Sequence, residues 1–181
     1  MIVIALTDNT IDALLDSIRS IKHDVDVIEL RLDFLKHVDL KKLAHLLSQV
    51  NYPVIFTLRP LEQGGHYQGD ESSRIDLIGQ LVKLKPAYFD LESSVDNATI
   101  SLLSKTHPSV KIIRSYHHMA KTPDDLDALL EAMLHDCVSL YKVVTFAKSV
   151  LDNFRMLRFL KKHAPSVSLT AHCMGELSLP S

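Results

Sequence analysis

Seven short runs rich in Val, Ile, Leu, Tyr and Phe recur along the chain, each separated from the next by a longer segment of mixed polarity. They are IVIAL (2–6), DVIELRL (26–32), VIFTLR (54–59), AYFDLE (87–92), VKIIRSYH (110–117), SLYKVVTF (139–146) and VSLTAHCM (167–174). Runs of this length and composition fit strands buried on both faces. Strand–helix alternation sustained this far restricts the chain to an α/β fold with a parallel sheet. Two architectures satisfy the pattern, a closed (β/α) barrel and an open doubly wound sheet, and alternation alone does not separate them.

The intervening segments have helical periodicity. Leu40, Leu43, Ala44, Leu46 and Leu47 repeat at helical spacing, and so do Leu151, Phe154, Leu157, Leu160 and Ala164 within 150–164. Residues 123–135 open with proline and carboxylates, as a helix start does, with Thr122 as the expected N-cap. No Pro/Gly/Ser-rich linker interrupts the 181 residues, so one domain spanning 1–181 is expected.

Composition narrows the function classes. A net charge of −2 and a pI near 6.5 give no basic surface for nucleic acid or acidic membrane. No apolar run approaches the roughly 18 residues that span a bilayer, and the N-terminus reads as a strand, not a signal peptide. The two cysteines, Cys137 and Cys173, form no CxxC pair, as suits a cytoplasmic protein.

Polar residues at the strand ends favour the barrel. Side chains two apart on a strand share a face, and inward residues at the C-terminal strand ends form the active site of a barrel. Strand two ends with Glu29, Arg31 and Asp33 in phase, and strand three with Arg59. Strand four carries Asp90 and Glu92, and strand five ends with His117. Strand six carries Lys142, and strand seven ends with His172 and Met174. Charges are costly in a dry core unless paired, so one converging site explains them better than separate burials. An open sheet would gather its polar ends mainly at its switch point.

Each residue has two readings at this level. Lys142, inside an apolar strand, either snorkels its ammonium to the strand end or sits dry enough to form an imine with a ketone. His117, in phase with Ser115 and Ile113, is either structural or a general acid/base; its neighbour His118 points the other way. Glu29 and Arg31 are either a same-face ion pair or ligands for substrate. Arg59 either caps carbonyls or pairs with Glu29 or Glu92, or else recognises a carboxylate through its planar fork. Gly64-Gly65 lies in a loop after strand three that lacks the GK[ST] of a P-loop. It is a plain flexible loop or a lid over the site. His117, His118, His172 and Cys173 have no spacing typical of a metal site, so no metal is expected.

Taken in order, ELRLD (29–33), FTLRP followed by QGG (56–65), DLE (90–92), SYHH (115–118), YKVVTFAKS (141–149) and MGELSLPS (174–181) resemble type I 3-dehydroquinate dehydratases over nearly the whole chain. The resemblance implies a (β/α)8 TIM barrel, of which this chain carries about seven of the eight strands. It implies a shikimate-pathway lyase that converts 3-dehydroquinate to 3-dehydroshikimate and water without a cofactor. Carried across, Lys142 matches the Schiff-base lysine and His117 the histidine that moves the C2 proton. Glu29, Arg31 and Arg59 match substrate-binding positions, and Met174 matches a methionine near the bound ring. A homodimer is compatible with the resemblance.

The sequence also departs from the family pattern. Gln63 stands where a glutamate near the histidine is common; it can orient an imidazole but adds no charge. Ala5 replaces a frequent serine, and His118 a frequent aspartate. After MGxxxxxS the pattern continues with a carboxylate-binding arginine, a helix, a strand and a further helix, whereas this sequence stops at Ser181. The 181 residues are then expected to be part of a longer chain; if Ser181 is the real end, weak or absent turnover is expected. Two alternatives remain open at this level: another Schiff-base barrel such as an aldolase, and a truncated or degenerate non-catalytic chain.

Overall fold

The computed structural model describes residues 2–22 and 24–178. All seven runs form strands: β1 (Val3–Leu6), β2 (Val27–Arg31), β3 (Val54–Thr57), β4 (Tyr88–Glu92), β5 (Lys111–His117), β6 (Val138–Phe146) and β7 (Leu169–Met174). Between them lie α1 (Ile11–Arg19), α2 (Leu40–Gln49), α3 (Glu71–Leu81), α4 (Asn97–Thr106), α5 (Leu126–Met133) and α6 (Val150–His163). The chain packs as two compact units. The first contains Met1–Asp90 and Ser101–Lys111, and the second Leu91–Ile100 and Ile112–Ser181.

In the first unit β1, β2, β3 and β4 pair in that order, all parallel. Residues level in parallel register face the same side. One side therefore carries Ile28 and Leu30 of β2, Val54 and Phe56 of β3, and Phe89 of β4. All five are buried, and Phe56 meets Phe89 edge-to-face at 6.2 Å. Leu14, Leu43, Leu46, Ile78 and Leu81 of the helices are buried as well, each such side chain contributing about 1.5–3 kcal/mol. The other side carries Glu29, Arg31, Thr57 and Asp90. Local chemistry starts each helix: Thr10 caps α1, Asp39 caps α2 and Asp70 caps α3 by accepting backbone N–H groups of the first turn. Arg74 of α3 is buried; its Nη1 donates to the carbonyl of Leu58 at 3.0 Å and its Nε and Nη2 grip Glu71. This pins the chain one residue before Arg59.

In the second unit β5, β6 and β7 pair in order, all parallel. One side of these strands joins Tyr141, Val143, Ala171 and Cys173 to Leu126, Leu130 and Met133 of α5 and Met156 and Phe159 of α6 in a single apolar cluster. Arg114 of β5 is buried among oxygens, donating to Asn97 Oδ1 and to the carbonyls of Ser93, Val95 and Met133. Burial lowers its pKa from the ordinary arginine value.

Two helical expectations need correction. The helix expected over 123–135 is Leu126–Met133, and its cap is Asp125, which accepts from Ala128 N–H at 2.8 Å. Thr122 is not the cap. It is buried, its hydroxyl 2.9 Å from that of Thr145 and 3.2 Å from the carbonyl of Phe146. In α6 the apolar stripe at helical spacing faces the core only in part: Leu160 packs against the apolar cluster, whereas Leu151, Phe154 and Leu157 are 69%, 53% and 51% exposed. The buried stripe is Asp152, Asn153, Met156 and Phe159. The helix carries two apolar stripes, and the cap selects between them. Asp152 turns inward to accept the N–H groups of Lys148 and Ser149, and Met156 and Phe159 follow it at helical spacing.

Candidate active site

In the first unit the polar residues predicted at strand ends do share one side, but their pairing differs from the simplest expectation. Arg31 forks onto Asp33, donating from Nε to Oδ1 at 2.9 Å and from Nη2 to Oδ2 at 2.7 Å. Asp33 is not on the strand: β2 ends at Arg31, and Asp33 lies in the 3₁₀ turn Leu32–Phe34. Burial alone would lower the arginine's pKa. The hydrogen bond and charge of Asp33, with the charges of Glu29 and Asp90, outweigh it and raise the pKa above the usual value. Glu29 is buried and accepts from the Thr57 hydroxyl at 2.6 Å. Arg59 Nη2 donates to Asp90 Oδ2 at 2.8 Å.

The loop after β3 folds back on this cluster. Gln63 ends the 3₁₀ turn Leu61–Gln63, half-buried, its N–H bonded to the Pro60 carbonyl at 3.2 Å. Gly64 then adopts φ 73°. Gly65 passes so close to Arg59 that a Cβ would lie 2.1 Å from the Arg59 carbonyl oxygen. Tyr67 N–H bonds that same oxygen at 3.2 Å, and His66 N–H reaches Asp33 Oδ2 at 3.0 Å.

In the second unit the register of β5 and β6 sets Ser115 level with Lys142, and His117 level with Val144. Thr170 and His172 of β7 continue these two rows, and Met174 stands level with Phe146 in the next. His117 and Lys142 therefore share one side, on neighbouring strands and two residues apart along them. Their Cα atoms are then about 8 Å apart by strand spacing and rise. Both side chains are half-buried. His172, on the same side, has its pKa lowered by burial and by the charge of Lys142. The neighbouring His118 closes the turn after β5, its Nδ1 accepting from the N–H groups of Ala120 and Lys121 at 3.2 Å each. Gly175, at φ 99°, lets the chain turn against Phe146 directly after Met174.

Sequence reasoning placed Asp33, Asp90 and His172 among the converging strand-end residues without giving them a role, and it did not single out His66. Asp33 and Asp90 were visible only as in-phase acids, and nothing in the sequence tells which arginine each holds. Leu179, Pro180 and Ser181, the end of the MGELSLPS stretch, lie outside the described residues. Among the described residues no group of three or more His, Cys, Asp or Glu could hold a metal ion, and no helix is long and apolar enough to cross a membrane.

The family model of type I 3-dehydroquinase matches residues 2–181. The chain belongs to the type I 3-dehydroquinase family. It is 33% identical over 161 residues to the bifunctional 3-dehydroquinate dehydratase/shikimate dehydrogenase of Arabidopsis thaliana, covering 86% of this chain and 26% of that one. It is 34% identical over 150 residues to a 3-dehydroquinate dehydratase of Dehalococcoides mccartyi, covering 82% and 65%. The chain thus spans less than two thirds of the length of these curated relatives. The solved 3-dehydroquinate dehydratase of Enterococcus faecalis superposes with a TM-score of 0.87 at 24% identity, covering 98% of this chain and 80% of that one. At that identity the likeness shows the fold, which is the α/β barrel class of the family, represented here by seven parallel strands.

Proposed function

We propose that this chain dehydrates 3-dehydroquinate to 3-dehydroshikimate through a Schiff base on Lys142. The observation that carries the reading is the placement of Lys142. It lies on an otherwise apolar strand, half-buried, on the same side as His117 and one row behind it.

The chemistry follows from those groups. The neutral amine of Lys142 condenses with the substrate ketone and releases water, and the protonated imine withdraws electrons from C2. His117 takes the C2 proton, which leaves an enamine. The enamine pushes out the C1 hydroxyl, which accepts a proton from the same histidine and departs as water. A second water hydrolyses the imine and frees Lys142. No electrons are left over, so the sequence balances with no redox partner. Fixed charges nearby stabilise the charged intermediates.

Glu29, Arg31 and Arg59 bind the substrate's carboxylate and hydroxyls in this reading. The Arg31–Asp33 fork occupies Nε and Nη2 and leaves Nη1 for a ligand among the described residues. Met174 packs against the ring, and Gln63 supplies a neutral hydrogen-bonding group from the loop. The two free thiols, Cys137 and Cys173, are in keeping with a cytoplasmic enzyme.

The test is reductive trapping. The protein is incubated with 3-dehydroquinate and borohydride, then analysed by intact mass and peptide mapping. One adduct on Lys142 that disappears in Lys142→Met is expected. No adduct, or an adduct on another lysine, would refute the assignment.

A further inference from the structure

We propose that Asp33 is a positioning residue: it fixes the plane of the Arg31 guanidinium and locks the loop after β3 onto it, so that aiming the arginine and seating the loop are one event. The inference deepens the dehydratase reading and rests on it for the role of Arg31 toward substrate.

Asp33 has the geometry of a clamp. Its side chain is fully buried, at 0% exposure, whereas Arg31 retains 18%. A carboxylate so placed must have its oxygens satisfied by strong donors. Three are present: Nε and Nη2 of Arg31, at 2.9 and 2.7 Å, and the backbone N–H of His66 at 3.0 Å. The two arginine bonds form a planar fork, which sets the orientation of the guanidinium as well as its position. The third bond comes from a residue 33 positions away in sequence, in the middle of the loop.

A stack of rings reinforces the same link. The Arg31 guanidinium carbon lies 5.0 Å from the centroid of the Phe34 ring, and the Phe34 and His66 rings lie 4.0 Å apart at 35°. His66 therefore meets the arginine's support twice, through its backbone and through its ring. The loop is also bound at its entry, where Gly65 and Tyr67 pack and bond against the Arg59 carbonyl. Its backbone thus joins the Arg59 carbonyl to the carboxylate that holds Arg31. Beside the clamp, Asp33, Phe34, His66 and Tyr67 help line a cavity of about 630 Å³.

Two measurements on the full chain test this. The first is the 3-dehydroquinate concentration that half-saturates borohydride trapping on Lys142. Asp33→Asn keeps one acceptor but loses the charge and half of the fork. It should raise that concentration roughly tenfold or more, the scale of a charge-assisted hydrogen bond, while the limiting yield of adduct stays at the wild-type level. The second needs no substrate: hydrogen exchange of the amides in residues 61–69. Exchange at His66 should accelerate about tenfold or more in Asp33→Asn, and also in Arg31→Met, although no hydrogen bond between Arg31 and the loop contributes to the clamp. Unchanged half-saturation in Asp33→Asn overturns the positioning role when wild type is trapped, as does unchanged exchange in either variant. If wild type itself forms no adduct, the dehydratase reading fails, and the exchange data alone decide the clamp.

Discussion

Replacing Asp90 by alanine should destabilise the protein far more than removing an acid of similar chemistry from its surface. Arg59 and Asp90 are 2.8 Å apart with side chains 3% and 0% exposed. Without the carboxylate the guanidinium stays charged, because arginine does not give up its proton at any ordinary pH, and it stays dry. Breaking a buried pair in this way costs about 3–5 kcal/mol. At the lower end, and at roughly 2–4 °C per kcal/mol for a chain of this size, the midpoint of thermal unfolding should drop by about 6–12 °C. The control is Asp16→Ala, which removes the partner of Arg19 in a pair 62% and 78% exposed at 3.6 Å. That change should cost at most about 0.5 kcal/mol, or roughly 2 °C. Far-UV circular dichroism melts of both variants read the difference directly. The double variant Arg59→Met/Asp90→Leu removes both charges and should recover most of the loss. Equal midpoints for the two single variants would refute the argument, and so would a double variant as unstable as Asp90→Ala.

Two further outcomes follow from local geometry and charge. Gly65→Ala forces a Cβ to within 2.1 Å of backbone oxygen and should cost about 1–3 kcal/mol or more. Gly79→Ala, with nothing within 4 Å and a place inside α3, should stabilise by about 0.5–1 kcal/mol; urea titrations giving both variants the same sign would contradict this. The pKa of His172 lies below the ordinary 6.5 because of burial and then the Lys142 charge. As pH falls below about 6.5 the unfolded state gains a proton that the folded state refuses, so stability drops with acidification until the folded pKa is reached. An NMR titration should show the His172 pKa rising in Lys142→Met; an unchanged value would contradict the charge effect.

The strands were legible because buried parallel strands need apolar residues almost without interruption; all seven runs became strands, displaced by a residue or two at their ends. The in-phase polar residues were legible for the complementary reason, since Glu29, Arg31, Asp90 and Lys142 interrupt runs that are otherwise apolar. What escaped the sequence were choices among chemically equivalent partners. Asp125 and Thr122 are both competent caps, and only the packing of Thr122 against Thr145 and Phe146 removes it from contention. α6 offers two apolar stripes, and the inward turn of Asp152 selects Met156 and Phe159 over Phe154 and Leu157. Arg31 had Glu29 in phase on its own strand. It takes Asp33 in its fork because the 3₁₀ turn brings that carboxylate back level with the guanidinium.

The deepest of these hidden choices concerns the two residues assigned to the chemistry. Alternation within β5 and within β6 fixes which neighbours His117 and Lys142 each accompany, but not that they face the same side as one another. The ladder begins with Ile112 opposite Val138. With no irregularity it would continue with Tyr116 opposite Lys142 and His117 opposite Val143. The lysine would then share a side with Tyr116, and the histidine would share the opposite side with Val143. Instead the register shifts between Ile112 and Ile113. One extra residue of β6 is taken up there, and every later pair moves by one, to Ser115–Lys142 and His117–Val144. Because side chains alternate with period two, that single residue brings the amine and the imidazole onto one side of the strands. The shift lies near the N-terminal ends of the two strands, away from His117 and Lys142. Nothing in the residue types of Ile112, Ile113, Val138 or Ser139 signals it, yet the placement of His117 and Lys142 on one side depends on it.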